Sequence, residues 1–241
     1  MSNGSIPSEP HSENFGILYQ DDFLTAMNKA AGMMVHRSEA AGKHENFALQ
    51  QMRNHLGRWV FTVHRLDRKT SGVLLFALDK ETQRKLQGSF SRQEITKTYH
   101  AVVRGYTPDE SLIDYPLVNE VGKLQDAITQ FRTLTRAEVN LPFGKFQTSR
   151  YSLIEILPKT GRMHQIRRHL AHINHPIIGD RPHGCNKQNK LFKEKWNMVS
   201  MLLHASSIEF EHPFTKEKVK ISAPFPPEFN RILILTGLQT A

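Results

Sequence analysis

The sequence predicts an α+β fold: a mixed, mostly antiparallel β-sheet flanked by helices. Three observations carry this. Strand-like stretches outnumber helical ones along the chain. Few strand–helix–strand units reach the length of a parallel crossover, which argues against a doubly wound sheet. The run 72–78 is apolar almost without a break, as in a strand covered on both faces. In chain order, 16–20 and 23–28 form a hairpin around Asp21-Asp22. A short helix is expected over 46–55, a strand over 59–63, and the apolar strand over 72–78. Asp79 caps a polar helix ending near Ser91, and 95–104 is a long strand closed by Gly105. Strands follow at 127–138 and 146–157, and a helix over 162–174 is halted by His175-Pro176. The last strands expected are 201–211 and 218–221.

The 241 residues suffice for one sizeable domain, expected over 15–241, after a polar leader at 1–14 that reads as disordered. No run is long and apolar enough to span a bilayer, and the leader has no apolar core like that of a signal peptide, so a cytoplasmic protein is expected. Cys185 is the only cysteine, which excludes an internal disulfide and a thiolate metal cage. The net charge is +9. Residues 141–200 hold 11 Lys/Arg against 3 Asp/Glu, nearly the whole excess, and such a concentration points to a partner rich in phosphates.

Two segments carry chemistry. The first is His64-Arg65-Leu66-Asp67-Arg68-Lys69-Thr70-Ser71-Gly72, between two apolar strands. Positive neighbours favour the charged form of a carboxylate, so Asp67 suits a nucleophile or general base better than a general acid. By spacing alone, a loop aspartate capping a turn fits as well. The second is Thr160-Gly161-Arg162-Met163-His164-Gln165-Ile166-Arg167-Arg168-His169-Leu170. On a helix, Met163, Ile166, Leu170, Ala171 and Ile173 share one arc, Arg167 falls within it, and Arg168, His169 and His172 point away. A guanidinium keeps its proton and is very costly to bury unpaired, so Arg167 needs an anion, with Asp67 the best candidate, unless it snorkels out at the arc's edge. Arg162, Arg168 and His172 are expected to meet phosphates. Zinc is rejected for His169 and His172: there is no H-E-x-x-H pattern or cysteine pair, and Arg167 and Arg168 would repel a dication. Phosphate-loop and dinucleotide fingerprints are absent, so neither a nucleotide cofactor nor a metal is expected. Tyr99 sits mid-strand, and spacing alone reads it as a core or sheet-face tyrosine.

With these residues in view, the sequence resembles the RluA-type pseudouridine synthases. The likeness runs through His64-Arg65-Leu66-Asp67, Thr70-Ser71-Gly72, Lys97-x-Tyr99, Thr160-Gly161-Arg162-x-His164-Gln165-Ile166-Arg167, His175-Pro176-Ile177-Ile178-Gly179-Asp180 and Leu203-His204-Ala205, about residues 16–225. It implies a pseudouridine synthase fold with a central RNA-binding cleft, a cofactor-free enzyme acting on structured RNA, and a monomer. It implies that Asp67 is the essential aspartate, that Arg65 helps extrude the uridine and fills its place, that Tyr99 packs against the flipped base and removes a proton, and that Arg167 pairs with Asp67. His64 and Arg68, beside Arg65, are expected on the RNA-binding side. Within the family the likeness is nearest to the tRNA pseudouridine synthase C group, acting at tRNA position 65, through Val35-His36-Arg37-Ser38, Asp114-Tyr115-Pro116-Leu117-Val118, Pro158-Lys159-Thr160-Gly161 and 167–172. Cys185, where an acidic residue is expected, and a short 119–128 region depart from the pattern and bear on the RNA chosen, with rRNA as the alternative.

Overall fold

The computed structural model describes residues 16–36 and 47–239. The leader at 1–14, the first residue of the helix expected over 46–55, and Arg37 and Ser38 of a quoted motif lie outside them. The strands are β1 (Ile17–Gln20), β2 (Leu24–Lys29), β3 (Phe61–Thr62), β4 (Ser71–Ala77), β5 (Thr96–Arg104), β6 (Glu110–Asp114), β7 (Leu117–Val118), β8 (Leu124–Gln125), β9 (Ile128–Val139), β10 (Ser149–Pro158), β11 (Leu203–Glu211) and β12 (Lys218–Ser222). The helices are α1 (Ala48–Leu56), α2 (Lys80–Ser91), α3 (Gln165–His172), α4 (Asn186–Trp196) and α5 (Pro227–Thr236). Ten strands form one sheet ordered β1-β2-β4-β11-β5-β10-β9-β6, with β12 on β11 and β3 on β4, while β7 and β8 pair separately. Of the strand pairs described, β4 with β11 is parallel and the others are antiparallel.

Side-chain alternation explains how the sheet is covered. Every residue of β4 is buried. Val73, Leu75 and Ala77 pack in a cluster with Leu86 of α2, and Leu74 and Phe76 pack in another with Ala48 and Met52 of α1. An unbroken apolar strand is the result. In β5, Val102 packs toward Phe192 of α4 and Phe229, Ile232 and Leu233 of α5, whereas Ala101 and Val103 pack toward Ile166 and Leu170 of α3. The sheet is thus sandwiched, and α3 is pressed onto one face by its apolar residues.

The parallel joint of β4 and β11 fixes the segment that precedes β4. Gly72 opposes Ala205 across it, with φ at +112°, and a Cβ there would stand 2.1 Å from the Ala205 carbonyl oxygen. No side chain fits that approach. Beside it, His204 is fully buried: the Ser71 hydroxyl donates to Nδ1 at 2.8 Å, and Nε2 donates to the Ala223 carbonyl at 3.2 Å.

Burial pushes His204 down to about 4. A folded-state value below the unfolded one means stability that is complete above about pH 6.5 and is lost as pH falls toward 4. Urea unfolding should therefore lose about 2 kcal/mol from this residue between pH 6.5 and 5. His204→Gln should make the loss shallower by about that share, leaving the share of His64, which burial also holds low; an equally steep loss in the variant would rule His204 out as a contributor.

Candidate active site

The segment between β3 and β4 is held from below and from the side. Val63 and Leu66 are buried in the core, and Thr70 N–H closes a turn on the Asp67 carbonyl at 3.1 Å. The His64 ring stacks on Phe90, centroids 4.9 Å apart, and its Nε2 accepts the Leu75 N–H at 3.0 Å. Gly32 N–H donates to the Arg68 carbonyl at 2.8 Å, and Arg68 Nε returns a bond to the Gly32 carbonyl at 3.0 Å. With its flanks fixed, Asp67 projects its carboxylate, one quarter exposed, into a cavity of about 570 Å³.

Arg167 reaches Asp67 from α3. Its side chain is 6% exposed, and Nη1 donates to Asp67 Oδ2 at 2.9 Å. The other edge of the guanidinium grips Asp180, itself 1% exposed, through Nε to Oδ2 at 2.7 Å and Nη2 to Oδ1 at 2.8 Å. Such a bidentate pair fixes the guanidinium plane. One cation against two carboxylates leaves a negative charge over, and Lys29 supplies the balance. It is fully buried, with Nζ donating to the carbonyls of Ala30 at 3.0 Å, Met33 at 2.8 Å and Arg68 at 3.2 Å. Burial pushes Lys29 down to about 7, with the Asp67 charge acting the other way. Three carbonyl acceptors engage all three protons of an ammonium, which a neutral amine does not have. Asp67 Oδ1 carries no hydrogen bond among the described residues, so one oxygen of a clamped carboxylate is left for a ligand.

Leu203, Ile166 and Tyr99 form apolar cavity walls, with Arg65, Lys97 and Arg162 adding positive charge. Burial and then the Asp67 charge push the Tyr99 phenol well up, so it meets a ligand as a protonated hydroxyl. Burial lowers Lys97. It also lowers His164, outweighing the opposite pull of Asp67 3.9 Å away.

The cavity thus offers an anchored carboxylate, a flat aromatic wall and a cationic lining, the set suited to a planar base on a sugar–phosphate chain. Comparison with known proteins agrees: residues 24–172 match the family described as RNA pseudouridylate synthase, a span holding Asp67, Tyr99 and Arg167. The chain belongs to the RNA pseudouridylate synthase family. It is 47% identical over 218 residues to a protein of Vibrio vulnificus named tRNA pseudouridine synthase C, covering 86% of this chain and 89% of that one. A protein of the same name from Vibrio cholerae is 43% identical over 234 residues, covering 92% and 96%. The structure of human RNA Pseudouridylate Synthase Domain Containing 4 shares the fold, with a TM-score of 0.72 over 94% of each chain at 24% identity.

Within this RNA pseudouridylate synthase, the sequence-predicted residues divide. Asp67, Tyr99, Arg167, His64, Arg65 and Arg162 all line the cavity, and Arg65 is exposed there. His64 is a neutral part of the cavity wall: burial and then the Lys97 charge push it down to about 3, and its Nε2 is engaged as an acceptor. Arg168 donates to the Val118 carbonyl at 2.9 Å, and His172 stacks on Tyr115 with centroids 3.7 Å apart; neither lines the cavity. His169 does not point away: it is fully buried, bonded to Thr129 Oγ1 and the Tyr115 carbonyl, each at 2.9 Å. Met163 is 45% exposed and outside the helix, which starts at Gln165 because His164 takes a left-handed conformation with φ of 53°. Buried Gln165 makes that turn tenable. Its Oε1 accepts from Arg162 N–H and the Thr160 hydroxyl, and its Nε2 donates to the Ile128 carbonyl.

Sequence reasoning assigned no role to Asp180 or Lys29. A signal existed for both. Asp180 ends an apolar run inside a strongly basic segment, and Lys29 closes an apolar strand with no acidic neighbour.

Proposed function

We propose that this enzyme converts a uridine of tRNA, at position 65, to pseudouridine in the cytoplasm, with Asp67 acting at the ribose of a uridine that has left its stack. The observation that carries the reading is the Asp67 carboxylate, clamped through Oδ2 by Arg167 with Oδ1 left for a ligand in the cavity. The N1–C1′ bond breaks, the freed uracil turns, C5 bonds to C1′, and the C5 proton is lost while N1 gains one. The reaction is redox-neutral. As the first bond breaks, charge gathers on the sugar, and a fixed carboxylate needs no reorganisation to meet it. Arg65, exposed at the cavity, is suited to fill the space the base vacates. Tyr99 packs against the base and donates a hydrogen bond. Leaving the duplex is repaid in part by stacking and by phosphate contacts. Relatives named for tRNA support the choice of RNA.

Nucleoside chromatography after incubating purified protein with unmodified tRNA tests the reaction. Pseudouridine should appear in equimolar exchange for uridine, with no free uracil. Release of uracil would instead make the chain an N-glycosidase, and an unchanged profile would overturn the reading.

A further inference from the structure

A second basic groove, of about 480 Å³, reaches the catalytic segment at Lys69. Lys69, Arg181, Lys190 and Lys193 line it together with Asn186 and Asn189, and no carboxylate does. Lys69 is two residues from Asp67 and Arg181 follows Asp180, so the groove is lined by the same two segments that carry the carboxylates Arg167 joins. Lys190 and Lys193 stand about one turn apart on α4, where residues three apart share a face. Asn189 binds this helix to the same apparatus: its Oδ1 accepts from Gly179 N–H at 2.8 Å, and its Nδ2 donates to the Asp180 carbonyl at 2.7 Å. Four cations converging without an acidic partner in the lining repel one another and favour a polyanion, and continuity with the catalytic segment says which polyanion passes there.

We propose that this groove binds consecutive phosphates of the same RNA whose uridine occupies the Asp67 cavity. The inference rests on the RNA-modifying reading above. An RNA strand entering the cavity continues along α4, and its phosphates sit against Lys190 and Lys193. Glu194 lies 3.6 Å from Lys190, but both side chains are largely exposed, so this weak pair exchanges readily for a phosphate.

The test measures affinity for unmodified tRNA against salt, alongside single-turnover pseudouridine formation at saturating RNA. Lys190→Ala/Lys193→Ala should weaken binding by roughly tenfold near physiological salt and reduce the slope of log affinity against log salt by about 1.4 to 1.8, the share of two phosphate contacts. The single-turnover rate at saturation should not change. Lys187→Ala/Lys195→Ala removes the same charge from the same helix outside the groove and should leave the slope within about half a unit. Glu194→Gln, which frees Lys190, should tighten binding. Equal slope changes from both double variants, or none from either, would overturn the site. Wild-type protein that binds tRNA but forms no pseudouridine would sink the catalytic reading, while the comparison of slopes would still decide the groove.

Discussion

Asp67→Asn should lower the rate of pseudouridine formation by about 10⁴-fold or more while leaving tRNA affinity within about threefold. The substitution is nearly isosteric. The asparagine carbonyl oxygen can still accept from Arg167 Nη1, and Arg167 keeps both bonds to Asp180, so the clamp and the fold survive. What disappears is the negative charge facing the sugar, and affinity resides mainly in contacts to phosphates. Single-turnover assays with saturating enzyme separate the two quantities. A rate within tenfold of wild type would remove Asp67 from the chemistry, and an equal loss of binding would make it a structural residue.

Arg167→Ala should destabilise the protein by about 3–5 kcal/mol and abolish turnover, because it leaves Asp180 buried without its partner and Asp67 without its clamp. That is a large part of the ~5–15 kcal/mol by which domains are stable. Arg167→Lys should rescue little, since an ammonium cannot reproduce a fork that holds two carboxylates. Adding Asp180→Asn to Arg167→Ala should recover part of the stability by removing the uncompensated charge, without restoring turnover. Arg168→Ala is the contrast: it loses one bond from a partly exposed guanidinium to the Val118 carbonyl and should cost about 1 kcal/mol or less. Urea midpoints for the four variants decide the matter. A midpoint unchanged in Arg167→Ala would refute the buried clamp.

The elements read correctly from sequence are those whose signal is local. Asp79 caps α2 by accepting from Thr82 N–H at 2.8 Å, and the apolar run of β4 is covered on both faces. The pairing of Arg167 with Asp67 was also legible, since a guanidinium amid an apolar arc requires an anion, whereas snorkelling is excluded by its burial. The cations next to Asp67 in sequence, Arg65, Arg68 and Lys69, do not bond its carboxylate; the residue that does lies 100 positions away. Helix α4 left a fainter signal: its inward stripe is Gln188, Leu191, Phe192 and Trp196, with only three apolar residues in an otherwise polar segment. The parallel β4–β11 joint pairs Ser71 with His204, a contact that leaves no mark on local pattern. Helix α5 could have been found: Phe229, Ile232, Leu233 and Thr236 are buried at helical spacing behind a proline at the helix start.

Carbodiimide mapping of pseudouridines in total RNA tests the central claim most directly, in cells lacking this protein and supplied with either the wild-type chain or Asp67→Asn. The account predicts a reverse-transcription stop at tRNA position 65 that returns with the wild-type chain and stays absent with Asp67→Asn. A stop restored by Asp67→Asn, or one that returns only in rRNA, would contradict it.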